Sequence, residues 1–240
     1  MSDFISNNFV HFPTPIADSC LGYLSASNLN EKRDKIVEIF RVSLRYLGII
    51  SLADILSRVP AVPINTNLKN YIIKLHSSNI TDGEWIGMIK EIVRPFAHNQ
   101  EELTCPPIRD IFFKPNTDAT NKKSIFLDRL NYMRRKETVA HGISGNKEFC
   151  ENIISQRIPD LELLLQHLFS FKDYLLIKPF EVTIQKGEKS YLNNYYVLKG
   201  ITSHRNKFPT NNLILSEPLE TNKCYLFNPL IKSNFCPYIH

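Results

Sequence analysis

Apolar positions recur along this chain first with a helical period and later with a strand period. From about Asn30, the residues Ile36, Phe40, Leu44, Leu47 and Ile50 stand three and four apart. That spacing lays side chains along one face of an α-helix. Val37 and Ile55 widen the stripe. Lys32, Arg33, Lys35, Arg41 and Arg45 occupy the opposite side. The run Ile49-Ile50-Ser51-Leu52-Ala53 is apolar nearly all round, which predicts deep burial or a dimer contact. The helix is expected to fade before Pro60. Ahead of it, Pro13 and Pro15 are expected to prevent a regular helix, with Ile16 to Leu24 left as a short one packed on the bundle.

Further along, Leu68, Tyr71, Ile72 and Leu75 predict a helix over Leu68 to His76. Thr81-Asp82-Gly83-Glu84 has the form of a capping box, in which the threonine and the glutamate satisfy each other's backbone N–H groups. It opens a helix whose apolar face is Trp85, Met88, Ile89, Ile92, Val93 and Phe96. Residues 97–119, with Pro106, Pro107 and Pro115, are expected to connect, and Ile108 to Phe113 to form a short buried turn or strand. A helix is predicted over Asn121 to Ala140, ended by the turn Gly142-Ile143-Ser144-Gly145. Another runs from Asn146 to Gln156. Pro159 suits the first turn of one more, reaching Phe171 and carrying Leu161, Leu164, Leu165, Leu168 and Phe169. His98 and His167 read as surface or packing histidines.

Near Pro179 the period changes from helical to alternating. Phe180-Glu181-Val182-Thr183-Ile184, Tyr191 to Leu198, Asn212 to Leu215 and Lys223 to Phe227 are extended runs separated by turn residues. They predict a small antiparallel sheet of about four strands, with Phe235 to Tyr238 packed back on it or on another segment. The fold class is therefore α+β: a mainly helical bundle over residues 1–178, followed by a small β-rich unit over residues 179–240.

Composition narrows the chemistry. The chain has 240 residues, 43% of them hydrophobic, and a formal charge of +5. This mild basic excess permits a nucleic-acid partner without requiring one. The five cysteines are widely spaced with no C-x-x-C, so neither a disulfide framework nor a structural zinc site is expected. Cys224, Cys236 and His240 form at most half a metal site. No glycine-rich phosphate loop is present, and no cofactor is expected. The opening Met1-Ser2-Asp3-Phe4-Ile5-Ser6 lacks a basic n-region and an apolar h-region, and no apolar run is long enough to span a bilayer. Cytoplasmic residence with no membrane partner is the expectation.

The chemistry concentrates in Asn131-Tyr132-Met133-Arg134-Arg135-Lys136-Glu137-Thr138-Val139-Ala140-His141-Gly142. On a continuous helix, Arg134 and His141, seven residues apart, share a face, and Glu137 falls on it too. Arginine offers a permanent cationic fork that fits phosphate oxygens. Histidine titrates near neutrality and can accept or return a proton. Together they suit attack by an RNA 2′-hydroxyl on its neighbouring phosphodiester, without a metal. The bland alternative is a histidine capping the helix end beside two solvated arginines.

Arg134 or Arg135, a polar spacer and Ala140-His141-Gly142 resemble the arginine-x(4–6)-histidine signature of HEPN domains. Phe12-Pro13-Thr14-Pro15-Ile16-Ala17, the helix bearing Arg41-Val42-Ser43-Leu44-Arg45-Tyr46-Leu47 and the Trp85 helix add to the resemblance, which spans about residues 10–180. It implies a HEPN-like helical bundle, found in bacterial toxin, abortive-infection and antiviral defence systems. It also implies a homodimer whose paired motifs cleave RNA, with tRNA or mRNA as substrate and a cognate antitoxin or defence protein as partner. The expected catalytic residues are Arg134, His141, Arg135 and Glu137, and the expected RNA contacts are Lys136, Arg41 and Arg45. A non-catalytic dimerisation or partner-binding module is the alternative. A DNA-binding regulator, with Gly142 to Gly145 as the turn of a helix-turn-helix, is a third reading.

Overall fold

The computed structural model describes residues 3–57, 64–77, 80–96, 103, 105–112, 147–185, 190–200, 211–227 and 235–238. Its helices are α1 (Asp3–Asn8), α2 (Thr14–Ser25), α3 (Leu29–Ser57), α4 (Thr66–His76), α5 (Asp82–Val93), α6 (Pro107–Phe112) and α7 (Lys147–Phe169). The strands are β1 (Leu175–Ile184), β2 (Tyr191–Val197), β3 (Asn211–Leu215), β4 (Cys224–Phe227) and β5 (Phe235–Tyr238). The chain is thus α+β, mostly helical, with an antiparallel sheet following the helices.

The long helix α3 is the centre of the bundle. Its 29 residues make a rod of about 43 Å. The predicted stripe of Ile36, Phe40, Leu44, Leu47 and Ile50 is buried, and so is every residue from Ile50 to Ile55. Asn28 caps its start, accepting from the Glu31 N–H at 2.9 Å, while the Glu31 carboxylate accepts from the Ser27 N–H at 2.9 Å. Helices α2, α5 and α7 pack against α3, and the backbone of β5 runs beside it.

The capping box at α5 is present in full: the Glu84 N–H donates to Thr81 Oγ1 at 3.3 Å, and the Thr81 N–H donates to Glu84 Oε2 at 2.8 Å. Trp85, Met88, Ile89, Ile92 and Val93 are then all buried. The Trp85 ring lies on the backbone of α3 at Gly48, where a Cβ would fall 2.3 Å from indole Cε3.

Three expectations about helices need correction, each for a local reason. First, Pro13 and Pro15 do not delay α2, which starts at Thr14. Pro15 lies in the first turn, where an N–H has no intrahelical partner to lose, and the Pro13 carbonyl accepts from Ile16 and Ala17 at 3.0 Å. The polar opening residues also form helix, as α1. Second, Ile108 to Phe112 belongs to the helix α6. Ile108, Ile111 and Phe112 have helical spacing and are all buried, and Pro107 begins the turn. Third, Pro159 does not divide two helices; α7 runs through it. An internal proline costs about 3 kcal/mol through its lost hydrogen bond and ring clash. Here it faces solvent, while Ile154 before it and Leu161, Leu165 and Leu168 after it are buried in one core.

The sheet has five strands in the order β3-β2-β1-β4-β5, every neighbouring pair antiparallel. The count exceeds the expected four because Phe235–Tyr238 pairs with β4. The first strand also begins at Leu175, before the change of texture at Pro179. A register shift between Pro179 and Glu181 inserts Phe180 into β1 as an extra residue.

The sheet is tied to the helices through the chain segment preceding α2. Pro13 bridges to Lys199, the Thr14 N–H donates to the Leu198 carbonyl at 3.1 Å, and the Gly200 N–H donates to the Phe12 carbonyl at 3.0 Å. Gly200 takes a φ of 73°, a conformation that favours glycine. Leu176 and Leu226 enter the helical core, whereas Ile177, Tyr195, Leu219, Tyr225 and Phe227 form a second cluster on the other face. Asn193 is fully buried there. It donates to the Tyr191 and Leu213 carbonyls and accepts from the Leu219 N–H at 2.8 Å, which leaves its oxygen satisfied.

Two outcomes follow. Gly48→Ala forces the Trp85 ring off α3 and is expected to cost about 1–3 kcal/mol in urea unfolding. An unchanged midpoint would show that the contact is not tight. Glu84 also links α4 to α5 through Lys74, and this hydrogen bond, with that from the Thr81 N–H, holds its carboxyl near 2 rather than 4.5. A carboxylate with a depressed folded value stabilises above its unfolded value and loses that contribution as pH falls. Between pH 4.5 and 2, the parent protein should therefore lose stability more steeply than Glu84→Gln, as followed by acid-dependent thermal melts.

Candidate functional site

The residues proposed for chemistry divide sharply. Arg134, Arg135, Lys136, Glu137 and His141 lie outside the described residues, as do His98 and the Gly142 to Gly145 turn. Arg41 and Arg45 are described, and both lie on α3. They stand one helical turn apart on its flank towards α5.

Arg41 is half-exposed and engaged. Its Nε donates to Asp82 Oδ2 at 3.0 Å, joining α3 to the first turn of α5. Asp82 is a natural residue there because a carboxylate is favoured at a helix N-terminus. The sequence contained the signal: a capping box places an acid in the first turn, and α3 against α5 places Arg41 beside it. Arg45 is exposed and forms no ion pair among the described residues. Of the two, Arg45 presents its guanidinium directly to a ligand, while Arg41 must first give up Asp82.

The remaining cationic face of α3 is largely matched by acids on the same helix. Arg33 meets Asp34 at 2.8 Å and Lys35 meets Glu38 at 2.7 Å. These are surface pairs, each worth about 0–1 kcal/mol, and they reduce the net field of the face.

Other titratable groups are set by burial. Arg109 on α6 is buried and gives two hydrogen bonds to Asp110 Oδ1, at 3.0 and 2.7 Å. His167 on α7 is half-buried; burial lowers its pKa, partly offset by the Asp110 carboxylate. Burial thereby favours its neutral form. Burial pushes the Cys20 thiol up to about 12, which removes it as a nucleophile. Among the described residues no group of three or more His, Cys, Asp or Glu side chains is placed to hold a metal. Cys224 and Cys236 lie on paired strands, opposite Tyr238 and Leu226 respectively, and His240 is outside the described residues. No described helix is long and apolar enough to cross a membrane.

Two surface features were not anticipated from sequence. A shallow depression of about 380 Å³ lies along α4, lined by Asn67, Asn70, Tyr71, Ile73 and Lys74. On the sheet, Phe180 and Tyr196 stack on each other at 4.4 Å and remain partly exposed. The bulge brings them together, and strand alternation alone does not reveal it.

No protein-family model, no curated protein and no solved structure matches this chain.

The Arg41–Asp82 contact is measurable by a double-mutant cycle. Arg41→Ala and Asp82→Ala, alone and combined, should report a coupling of about 0.2–1 kcal/mol in denaturant unfolding. A coupling of zero would show that Arg41 is available to ligands without cost.

Proposed function

We propose that this chain is a metal-independent endoribonuclease of the HEPN kind, acting as a cytoplasmic homodimer in a bacterial toxin or defence system. The observation that carries the reading is the spacing of Arg134 and His141, with Glu137 between them, in a segment of helical pattern. The mainly helical architecture is compatible with it. His141 takes the proton from the 2′-hydroxyl or returns one to the 5′ leaving oxygen. Arg134, helped by Arg135, holds the phosphate and stabilises its developing charge. Glu137 orients His141 or restrains Arg134. Lys136, Arg45 and Arg41 extend the cationic track for RNA, with Arg41 exchanging Asp82 for phosphate. The products are a 2′,3′-cyclic phosphate and a 5′-hydroxyl. A cognate antitoxin or defence protein would restrain the activity.

A second reading is a non-catalytic HEPN-like module that dimerises or recruits a partner. Two observations favour it. Arg41 is already neutralised by Asp82. Neither Arg134 nor Arg135 is followed by the asparagine common in the family.

Incubation of the purified chain with total RNA in EDTA separates the two. The nuclease reading predicts cleavage with cyclic-phosphate ends and a loss of about 10²-fold or more in rate for His141→Ala, without a change in melting temperature. Equal rates for a folded His141→Ala protein would remove the assignment, and an RNA-inert parent would leave the interaction module.

A further inference from the structure

The sheet leaves the helices behind as it extends outward. On the face that buries Leu176 and Leu226 against the bundle, the next row contains Lys178 and Tyr196, with the inserted Phe180 beside them. Beyond it come Glu181, Asn194 and Asn212, then Thr183, Leu192 and Ile214. These outer rows have no helix over them among the described residues. Phe180 is 36% exposed, Tyr196 40% and Ile214 56%.

The chemistry of this face is specific. Phe180 and Tyr196 are stacked with an interplanar angle of 27°, so each supports the other while part of the pair meets solvent. Lys178 is exposed next to them. The one acid in these rows, Glu181, accepts from Asn194 Nδ2 at 2.8 Å. Asn212, directly opposite Asn194, is an exposed amide able to donate and accept.

The sequence around these strands states which occupant such a face suits. On this face the cation among the described residues is Lys178, paired across the strands with Tyr196. Protein interfaces are depleted in lysine. Exposed aromatics on a sheet, beside a lysine and amides, instead match single-stranded nucleic acid: bases stack on the rings and the ammonium meets phosphate.

The geometry points to the outer face of β1, β2 and β3 as a platform for single-stranded RNA, with bases stacking on the Phe180–Tyr196 pair and Lys178 meeting phosphate. This inference takes its choice of RNA from the nuclease reading above. It gives a substrate-holding role to residues that are not part of the Arg134–His141 motif.

The test uses the full chain carrying His141→Ala, so that RNA remains uncut, and a fluorescein-labelled oligouridine of roughly 12 nucleotides. Anisotropy titrations compare this protein with the same chain bearing Phe180→Ala and Tyr196→Ala, and with one bearing Phe180→Leu and Tyr196→Leu. The leucine pair retains apolar bulk without stacking. Both should weaken binding about 5-fold or more, with melting temperatures close to the parent's. Lys178→Ala should lower the salt slope of binding by about 0.7. Ile73→Ala on α4 should change nothing. Parent-like affinity for a folded leucine variant overturns the platform, as does absence of RNA binding by the parent. A shift in oligomeric state with unchanged RNA affinity also overturns it, in favour of a protein contact. If the chain cleaves RNA but these variants bind normally, the platform fails and the nuclease stands. If the variants lose binding while the unmodified chain cuts nothing, the platform stands and the nuclease fails.

Discussion

From Ile50 to Ile55 the helix α3 buries every residue, including Ser51 and Asp54. A helix that is covered on all sides cannot choose one neighbour; it requires several at once. Helices α2, α5 and α7 pack along α3, and the backbone of β5 runs beside it. Ser51 remains compatible with such burial because its hydroxyl donates to the Leu47 carbonyl within the same helix at 2.7 Å. At Gly48 the helix carries no side chain, and the Trp85 ring rests on its backbone. The α5 position, and with it the Asp82 carboxylate that meets Arg41, follows from this close approach.

The sheet depends on the same centre by a second route. Phe12 and Thr14 hold the end of β2 through main-chain hydrogen bonds, and Ile16, Ala17 and Cys20 of the following helix are buried in the main core. Phe169, at the end of α7, gathers the rings of Phe4, His11 and Phe12 edge-on, with the Lys172 ammonium 5.4 Å from its centroid. These contacts set where the sheet leaves the bundle. They leave its outer rows, with Phe180, Tyr196 and Ile214, beyond the described helices.

Helical periodicity was a reliable guide where an element has one buried stripe. The stripe on α3, the capping box at Thr81 and the Trp85 face of α5 were all readable because local chemistry and packing agree. Proline misled where its position within a turn matters more than its presence: Pro15 and Pro107 lie in first turns, and Pro159 faces solvent between two buried halves of α7. That Phe235–Tyr238 packs back on the sheet was one of two readings; that it does so as a fifth strand beside β4 was not specified, because the segment is short and the pairing non-local. The bulge at Phe180 was hidden for a related reason, since one inserted residue alters which side chains share a face. Of the candidate site, Arg41 and Arg45 lie on α3, Arg41 half-exposed and paired with Asp82, Arg45 exposed. The acid at Asp82 that holds Arg41 was visible as a helix start but not as a partner. The motif containing Arg134 and His141 is carried by sequence spacing, and its role is a proposal.

The central physical claim is that the fully buried part of α3 is the last structure to open. Native-state hydrogen exchange tests this directly. Amides of Leu44 to Ile55 should be the slowest in the protein and should exchange with the free energy of global unfolding. Those of α4, which buries only Leu68 fully, should open at lower energy. Exchange of the α3 amides as fast as those of α4, or by a local opening below the global value, would contradict the account and place the organising core elsewhere.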